Sequence, residues 1–85
     1  MYTVYALYNQ KNKKLYIGQT QDIKSRLILH NSKLFKGSYT SRFDGQWILI
    51  YFENVSSRKD ALIREKQLKS YKGRQFIKSH IPRSN

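Results

Sequence analysis

The sequence contains no cysteine, so it has neither a disulfide framework nor a thiolate metal site. Its 2 histidines are too few for a multi-histidine zinc centre. No apolar run approaches the roughly 20 residues of a membrane span, and there is no internal repeat or low-complexity linker. No secretory leader precedes the first strand-like segment, so the expected location is cytoplasmic, or another compartment holding nucleic acid. Acidic residues are also scarce: 5 Asp and Glu stand against 17 Lys and Arg, a formal net charge of +12 over 85 residues. That length predicts a single domain, 1–85, with a modest core. That surplus of cations predicts a polyanionic partner, with nucleic acid first among them. A membrane surface fits less well, because no basic amphipathic segment stands free of the fold. Charge says nothing about catalysis, since a ribosomal-type binding protein has the same bulk character.

Two short runs rich in β-branched and aromatic residues, Tyr2 to Tyr8 and Leu15 to Gln19, flank the polar stretch Asn9 to Lys14. This pattern predicts a β-hairpin with a loop longer than a tight turn. If Tyr8 pairs with Leu15, Leu7 faces Tyr16 and Tyr5 faces Gly18, which places both tyrosines on one side of the sheet. A slip of one residue would separate them. As strand residues alone, the two tyrosines need be no more than half-buried sheet side chains.

A helix is predicted over 22–34, opened by an N-cap at Thr20 to Asp22. Ile23, Leu27, His30 and Leu34 form its apolar stripe. Arg26 and His30, four residues apart, are neighbours beside that stripe. Read without further context, Arg26 is a solvated charge and His30 a boundary residue with its hydrogen bonds satisfied. Residues 35–46 read as a loop rich in Gly, Ser and Thr, with cations and aromatics interleaved. Lys36 and Arg42 are candidates for phosphate contacts, joined by Lys24 and Lys69 on the flanking helices, and Tyr39 for stacking on a base. Phe43 reads equally as a base contact or as a ring folded back onto the core. Trp47 to Phe52 is a continuous apolar run, read as a strand buried on both faces and therefore central or well covered, ending at Glu53 and Asn54.

Ser57 and Asp60 form a capping-box pattern that opens a second helix over 57–70. At helical spacing Ala61, Leu62, Glu65, Leu68 and Lys69 share one side. Glu65 thus falls within an apolar stripe, where a carboxylate needs a partner. An ion pair with a nearby Lys or Arg and a metal-ligand role both satisfy that need. After Gly73, Arg74 to Ile81 is predicted to form one or two helical turns, packed through Phe76 and Ile77 and stopped by Pro82.

A few short motifs organise these features: Thr3-Val4-Tyr5, then Tyr16-Ile17-Gly18, then Arg26 and His30-Asn31 on one helix, then Glu65 on the next. In this order they resemble the GIY-YIG nuclease superfamily, in particular its small stand-alone branch. That branch is similar to the amino-terminal nuclease domain of the bacterial excision-repair nuclease and to homing endonuclease catalytic domains. The resemblance covers nearly the whole chain. It implies a mixed α/β (α+β) fold, a three-stranded antiparallel sheet flanked by helices. It implies a metal-dependent endonuclease that hydrolyses phosphodiester bonds in DNA, with RNA as an alternative, acting as a monomer or weak dimer. The implied catalytic set is Tyr5, Tyr16, Arg26, His30 and Glu65, with Glu65 holding Mg²⁺ or Mn²⁺. Tyr5 is implied as general base and Tyr16 as partner of the water or phosphate, although the sequence leaves open which tyrosine takes the proton. Two departures stand out. Thr3-Val4 replaces the usual Gly-Ile, and the last helix lacks the asparagine many members carry, with Gln75 or Ser79 as the nearest substitutes. The competing function is a basic nucleic-acid-binding module without catalysis.

Overall fold

The computed structural model describes residues 1–32 and 39–82. Strands β1 (Tyr2–Asn9) and β2 (Lys14–Thr20) form the hairpin, followed by helix α1 (Ile23–Ser32) and a single 3₁₀ turn, Thr40–Arg42. Strand β3 (Trp47–Val55), helix α2 (Arg58–Lys69) and helix α3 (Tyr71–Lys78) complete the chain. The sheet is three-stranded in the order β2-β1-β3, with both neighbours antiparallel to β1. The fold is therefore α+β, as the sequence predicts.

The hairpin has the expected register: Tyr8 pairs with Leu15, Leu7 with Tyr16 and Tyr5 with Gly18. Because side chains alternate along β1, its two faces feed two apolar clusters. Val4 and Ala6 pack with Ile17 of β2, Ala61 and Leu68 of α2 and Ile77 of α3. Tyr5 and Leu7 pack with Trp47, against which Ile23 and Leu27 of α1 and Phe43 are laid. Helices thus cover both faces of the sheet, and β1 is its buried centre.

Strand β3 is not the central strand that its continuous apolar run suggests; it lies at an edge and runs on through Glu53 and Asn54 to Val55. A register shift opposite Ala6 and Leu7 explains the run. Tyr51 pairs with Ala6 and Leu49 with Leu7, so Ile50 is the extra residue of a bulge. Ile50 and Tyr51 then join one apolar cluster while Leu49 joins the other. Phe52, beyond the bulge, is largely exposed.

The helix starts follow their caps. Asp22 accepts from the Ser25 backbone N–H (3.2 Å) and hydroxyl (2.8 Å), fixing the start of α1. Ser57 accepts from the Asp60 N–H at 3.1 Å and opens α2 as expected. Two expectations on these helices fail. Leu62 is exposed rather than buried, so the buried stripe of α2 narrows to Ala61 and Leu68. Helix α3 begins before Gly73, not after it, because Ser70 closes α2 and also caps the Gly73 N–H at 3.2 Å. Glycine is required there: a Cβ at Gly73 would sit 2.2 Å from the Gln67 carbonyl oxygen and 2.5 Å from the Leu68 Cα. That close approach folds α3 back against the end of α2. Leu34 and Lys36, named above as stripe and phosphate contact, lie outside the described residues.

Candidate active site

The two tyrosines of the hairpin stand side by side, with ring centroids 6.1 Å apart. Gly18 makes this possible. A Cβ there would lie 3.0 Å from both the Tyr16 ring and the Tyr5 hydroxyl, so the glycine of the Tyr-Ile-Gly run clears space between the rings. The tyrosines are not equivalent. Tyr5 is 1% exposed, whereas Tyr16 lines an open cleft.

His30, in the last turn of α1, connects the Tyr5 layer to the rest of the fold. It is 2% exposed, its Nε2 lies 3.0 Å from the Tyr5 hydroxyl and its Nδ1 lies 2.7 Å from Thr40 Oγ1. Two proton arrangements satisfy all three groups: Nδ1–H donates to Thr40 while Nε2 accepts from the Tyr5 phenol, or Thr40 donates to Nδ1 while Nε2–H donates to the Tyr5 oxygen; the first leaves Nε2 able to take a proton. Thr40, fully buried, is in turn held through its carbonyl by Trp47 Nε1 at 3.1 Å. Asn31 fastens the same corner: its amide donates to the Trp47 carbonyl (3.0 Å) and accepts from the Trp47 N–H (2.7 Å). Thr40 was not legible as a site residue, because its partner lies ten residues away in the chain. Asn31, seen only as the neighbour of His30, proves to be the clasp between α1 and the edge strand.

Burial, then the Tyr16 phenol beside it, push the Tyr5 ionisation upward; the Glu65 carboxylate adds to the rise and the Arg26 guanidinium opposes it. The charges of Arg26 and Glu65 therefore both reach the Tyr5 hydroxyl. Burial and its neighbours thus favour the neutral phenol of Tyr5, which lies within hydrogen-bond reach of both the His30 imidazole and the Tyr16 phenol.

Glu65 is four-fifths buried and its Oε2 pairs with Lys69 Nζ at 2.6 Å, one helical turn on. The ion-pair reading of its position is thus realised, but it does not exclude another role. The other four carboxylates are engaged elsewhere: Asp22 caps α1, Asp44 pairs with Lys11, Glu53 with Arg64, and Asp60 accepts from the Ser56 hydroxyl. The charge of Glu65 also bears on the buried tyrosine. No group of three or more His, Asp or Glu that could hold a metal occurs among the described residues, so a metal bound here would have few protein ligands, Glu65 among them. That donor set suits a hard cation that keeps most of its water, as Mg²⁺ does, and does not suit zinc.

The cleft beside Tyr16 has a volume of about 250 Å³ and lies at the β2 edge of the sheet, lined by Leu15, Tyr16, Ile17, Tyr39, Lys69 and Arg74. Lys69 and Tyr39, two of the residues named from the sequence, both line it. Tyr39 is half-exposed and packs at 5.2 Å on Phe43, which itself folds back onto the core. Lys24 on α1 and Arg42 on the 3₁₀ turn line neither this cleft nor the one next to it. Arg74, read from the sequence only as the start of the last helical segment, enters the cleft because α3 folds back at Gly73. Gln75 is exposed, Ser79 bonds the Phe76 carbonyl at 2.6 Å, and neither lines this cleft.

Comparison with known proteins agrees with this architecture. Residues 1–78 match the GIY-YIG catalytic domain, and the chain belongs to that family. It is 31% identical over 68 residues to a UPF0213 protein of Staphylococcus haemolyticus, covering 80% of each chain. It is 33% identical over 64 residues to a UPF0213 protein of Staphylococcus epidermidis, covering 75% of this chain and 76% of that one. The solution structure of a UPF0213 protein from Bacillus halodurans superposes with a TM-score of 0.53 at 27% identity, over 93% of this chain and 84% of that one. No helix among the described residues is long and apolar enough to cross a membrane.

Proposed function

We propose that the protein is a divalent-cation-dependent endonuclease that hydrolyses phosphodiester bonds in DNA. The observation that carries this reading is the buried chain Tyr5–His30–Thr40 behind Tyr16 at an open, cationic cleft.

Tyr16, Lys69 and Arg74 receive the substrate phosphate in the cleft, and Arg26 adds positive charge near the Tyr5 hydroxyl. A water beside Tyr16 gives a proton to the Tyr5 oxygen as Tyr5 passes its own proton to His30 Nε2. The imidazole becomes imidazolium, still donating Nδ1–H to Thr40, and no free phenolate forms. The hydroxide attacks phosphorus, the bond to the leaving sugar oxygen breaks, and that oxygen takes a proton from solvent. Glu65 would hold Mg²⁺ or Mn²⁺, which supplies neutralisation of charge at the scissile phosphate and on the departing oxygen.

The test is incubation with labelled single-stranded, branched and duplex DNA, and with RNA, in Mg²⁺, Mn²⁺ or chelator, with products resolved on a denaturing gel. Cation-dependent cleavage of DNA supports the proposal. Tight binding of every form without cleavage under any condition would assign the protein to the non-catalytic class instead.

A further inference from the structure

A second cleft, of about 310 Å³, adjoins the first and shares Leu15, Tyr39 and Arg74 with it. It runs between the hairpin and α3, and four cations line it: Lys13, Lys14, Arg74 and Lys78. No carboxylate lines it among the described residues. Four like charges around a small cleft repel one another unless an anion is brought between them. Tyr8 and Tyr39 form the aromatic part of its wall.

Lys13 supplies an independent observation. It is the one non-glycine residue with positive φ among those described, at 54°. A lysine in this left-handed region costs roughly 1–2 kcal/mol, a cost that Asn or Gly at a turn largely avoids. The turn thus holds a cation in the cleft lining where a neutral residue would suit the backbone better.

We propose that this second cleft is a binding site for the sugar-phosphate backbone of the substrate strand where it continues beyond the scissile phosphate. The proposal rests on the nuclease reading and deepens it. Because Arg74 and Tyr39 belong to both clefts, a phosphate chain lying in one passes directly into the other. The four cations take successive phosphates, and the tyrosine rings accept whatever base is carried past them.

The double variant Lys13→Asn/Lys78→Gln tests this. Asn tolerates the left-handed backbone, so the variant should melt at or above the wild-type temperature. Binding is read by fluorescence anisotropy of a fluorescein-labelled mixed-sequence oligonucleotide, single-stranded and duplex, in chelator across a salt series. Affinity for the form that wild type cleaves should fall roughly tenfold. The slope of log affinity against log salt should shrink by about 1.4 for a single strand, or about 1.8 for a duplex, as expected for two lost phosphate contacts. In steady state KM should rise with kcat retained. The charge-matched control Arg58→Gln/Lys59→Gln lies at the far end of α2, about 15 Å from Lys69, and should change none of these. If wild type cleaves and the cleft variant matches it in affinity, slope and KM, this proposal fails while the nuclease reading stands. An equal loss in the control would also overturn it, since the effect would then be bulk charge. If wild type neither binds nor cleaves nucleic acid, the nuclease reading fails first and takes this one with it.

Discussion

The Tyr5 hydroxyl lies 3.0 Å from His30 Nε2, which joins the central strand to the last turn of α1 through one buried hydrogen bond. Tyr5→Phe deletes the hydroxyl and keeps the ring that packs on Leu7 and Trp47. The lost bond should lower stability by about 1 kcal/mol. Cleavage should fall by about 10²–10⁴, the range for losing a positioned proton acceptor. Thermal melts and single-turnover cleavage read the two effects separately. A melt like wild type together with unchanged cleavage would remove Tyr5 from the mechanism.

Burial raises the ionisation of Tyr5 above the ordinary tyrosine value near 10. The unfolded chain therefore loses this proton at a lower pH than the folded one. The stabilisation is fully present below about pH 10 and is lost as pH climbs toward the folded value. Melting temperature should drop steeply on the alkaline side, and Tyr5→Phe should flatten that drop although it melts lower at neutral pH. Melts at about pH 8 and about pH 11 for both proteins give the comparison.

Much of the site was legible because it is set by local pattern. Alternation along β1 and the register Tyr8–Leu15 suffice to place Tyr5 beside Tyr16, and a four-residue spacing puts Arg26 and His30 on one helix. Capping chemistry at Asp22 and Ser57 marks both helix starts. What was not legible depends on chain segments meeting across the fold. Thr40 reaches His30 only once Trp47 and Asn31 draw the turn against α1. Arg74 reaches the cleft only because Gly73 admits the backbone of α2. The apolar run 47–52 pointed to a central strand because pattern alone does not register a bulge at Ile50, which lets an edge strand serve both faces.

Gly73→Ala should be strongly destabilising even though alanine is the better helix former by about 1 kcal/mol. The added Cβ meets backbone atoms of Gln67 and Leu68 that have no room to give. A cost of about 2 kcal/mol or more is expected, lowering the melting temperature of a domain this size by about 10 °C. Helix α3 would be displaced from α2, so Arg74 would leave the cleft and nucleic-acid affinity should fall as well. A melt within about 2 °C of wild type would show that the close approach of α3 is not a feature of the protein in solution.

Thr40→Val keeps the shape of a fully buried side chain and removes the acceptor of the His30 Nδ1–H bond. The stranded donor should cost about 1–3 kcal/mol. A purely structural threonine would change stability alone. A threonine that positions His30 should also shift the acid limb of the pH–rate profile to lower pH, because the imidazolium loses a hydrogen-bond acceptor and forms less readily. Thr40→Ser restores the oxygen and should return the limb to its wild-type position. An acid limb identical in all three proteins would reduce Thr40 to a packing residue.

Glu65→Gln separates the two function classes. The substitution keeps the side chain's size and hydrogen-bonding reach and removes the charge that pairs with Lys69 at 2.6 Å. An ion pair spaced one helical turn apart contributes only about 0.3–0.5 kcal/mol, so the melting temperature should move little. Cleavage has more to lose. The other four carboxylates are engaged elsewhere, so no second anion is at hand to hold a cation beside the tyrosines. Loss of one key transition-state interaction is worth about 10²–10³ in rate, and loss of the cation's anchor should exceed that. Affinity for DNA in chelator should hold or rise, because a negative charge leaves the phosphate site and Lys69 is released toward it. Retained binding and melting with cleavage reduced by several orders of magnitude supports Glu65 as the cation ligand. A binding module would show no cation-dependent cleavage in either form, and a purely structural pair would show a lower melting temperature with cleavage intact. Equal cleavage by wild type and variant would leave the family standing and move the cation site away from Glu65.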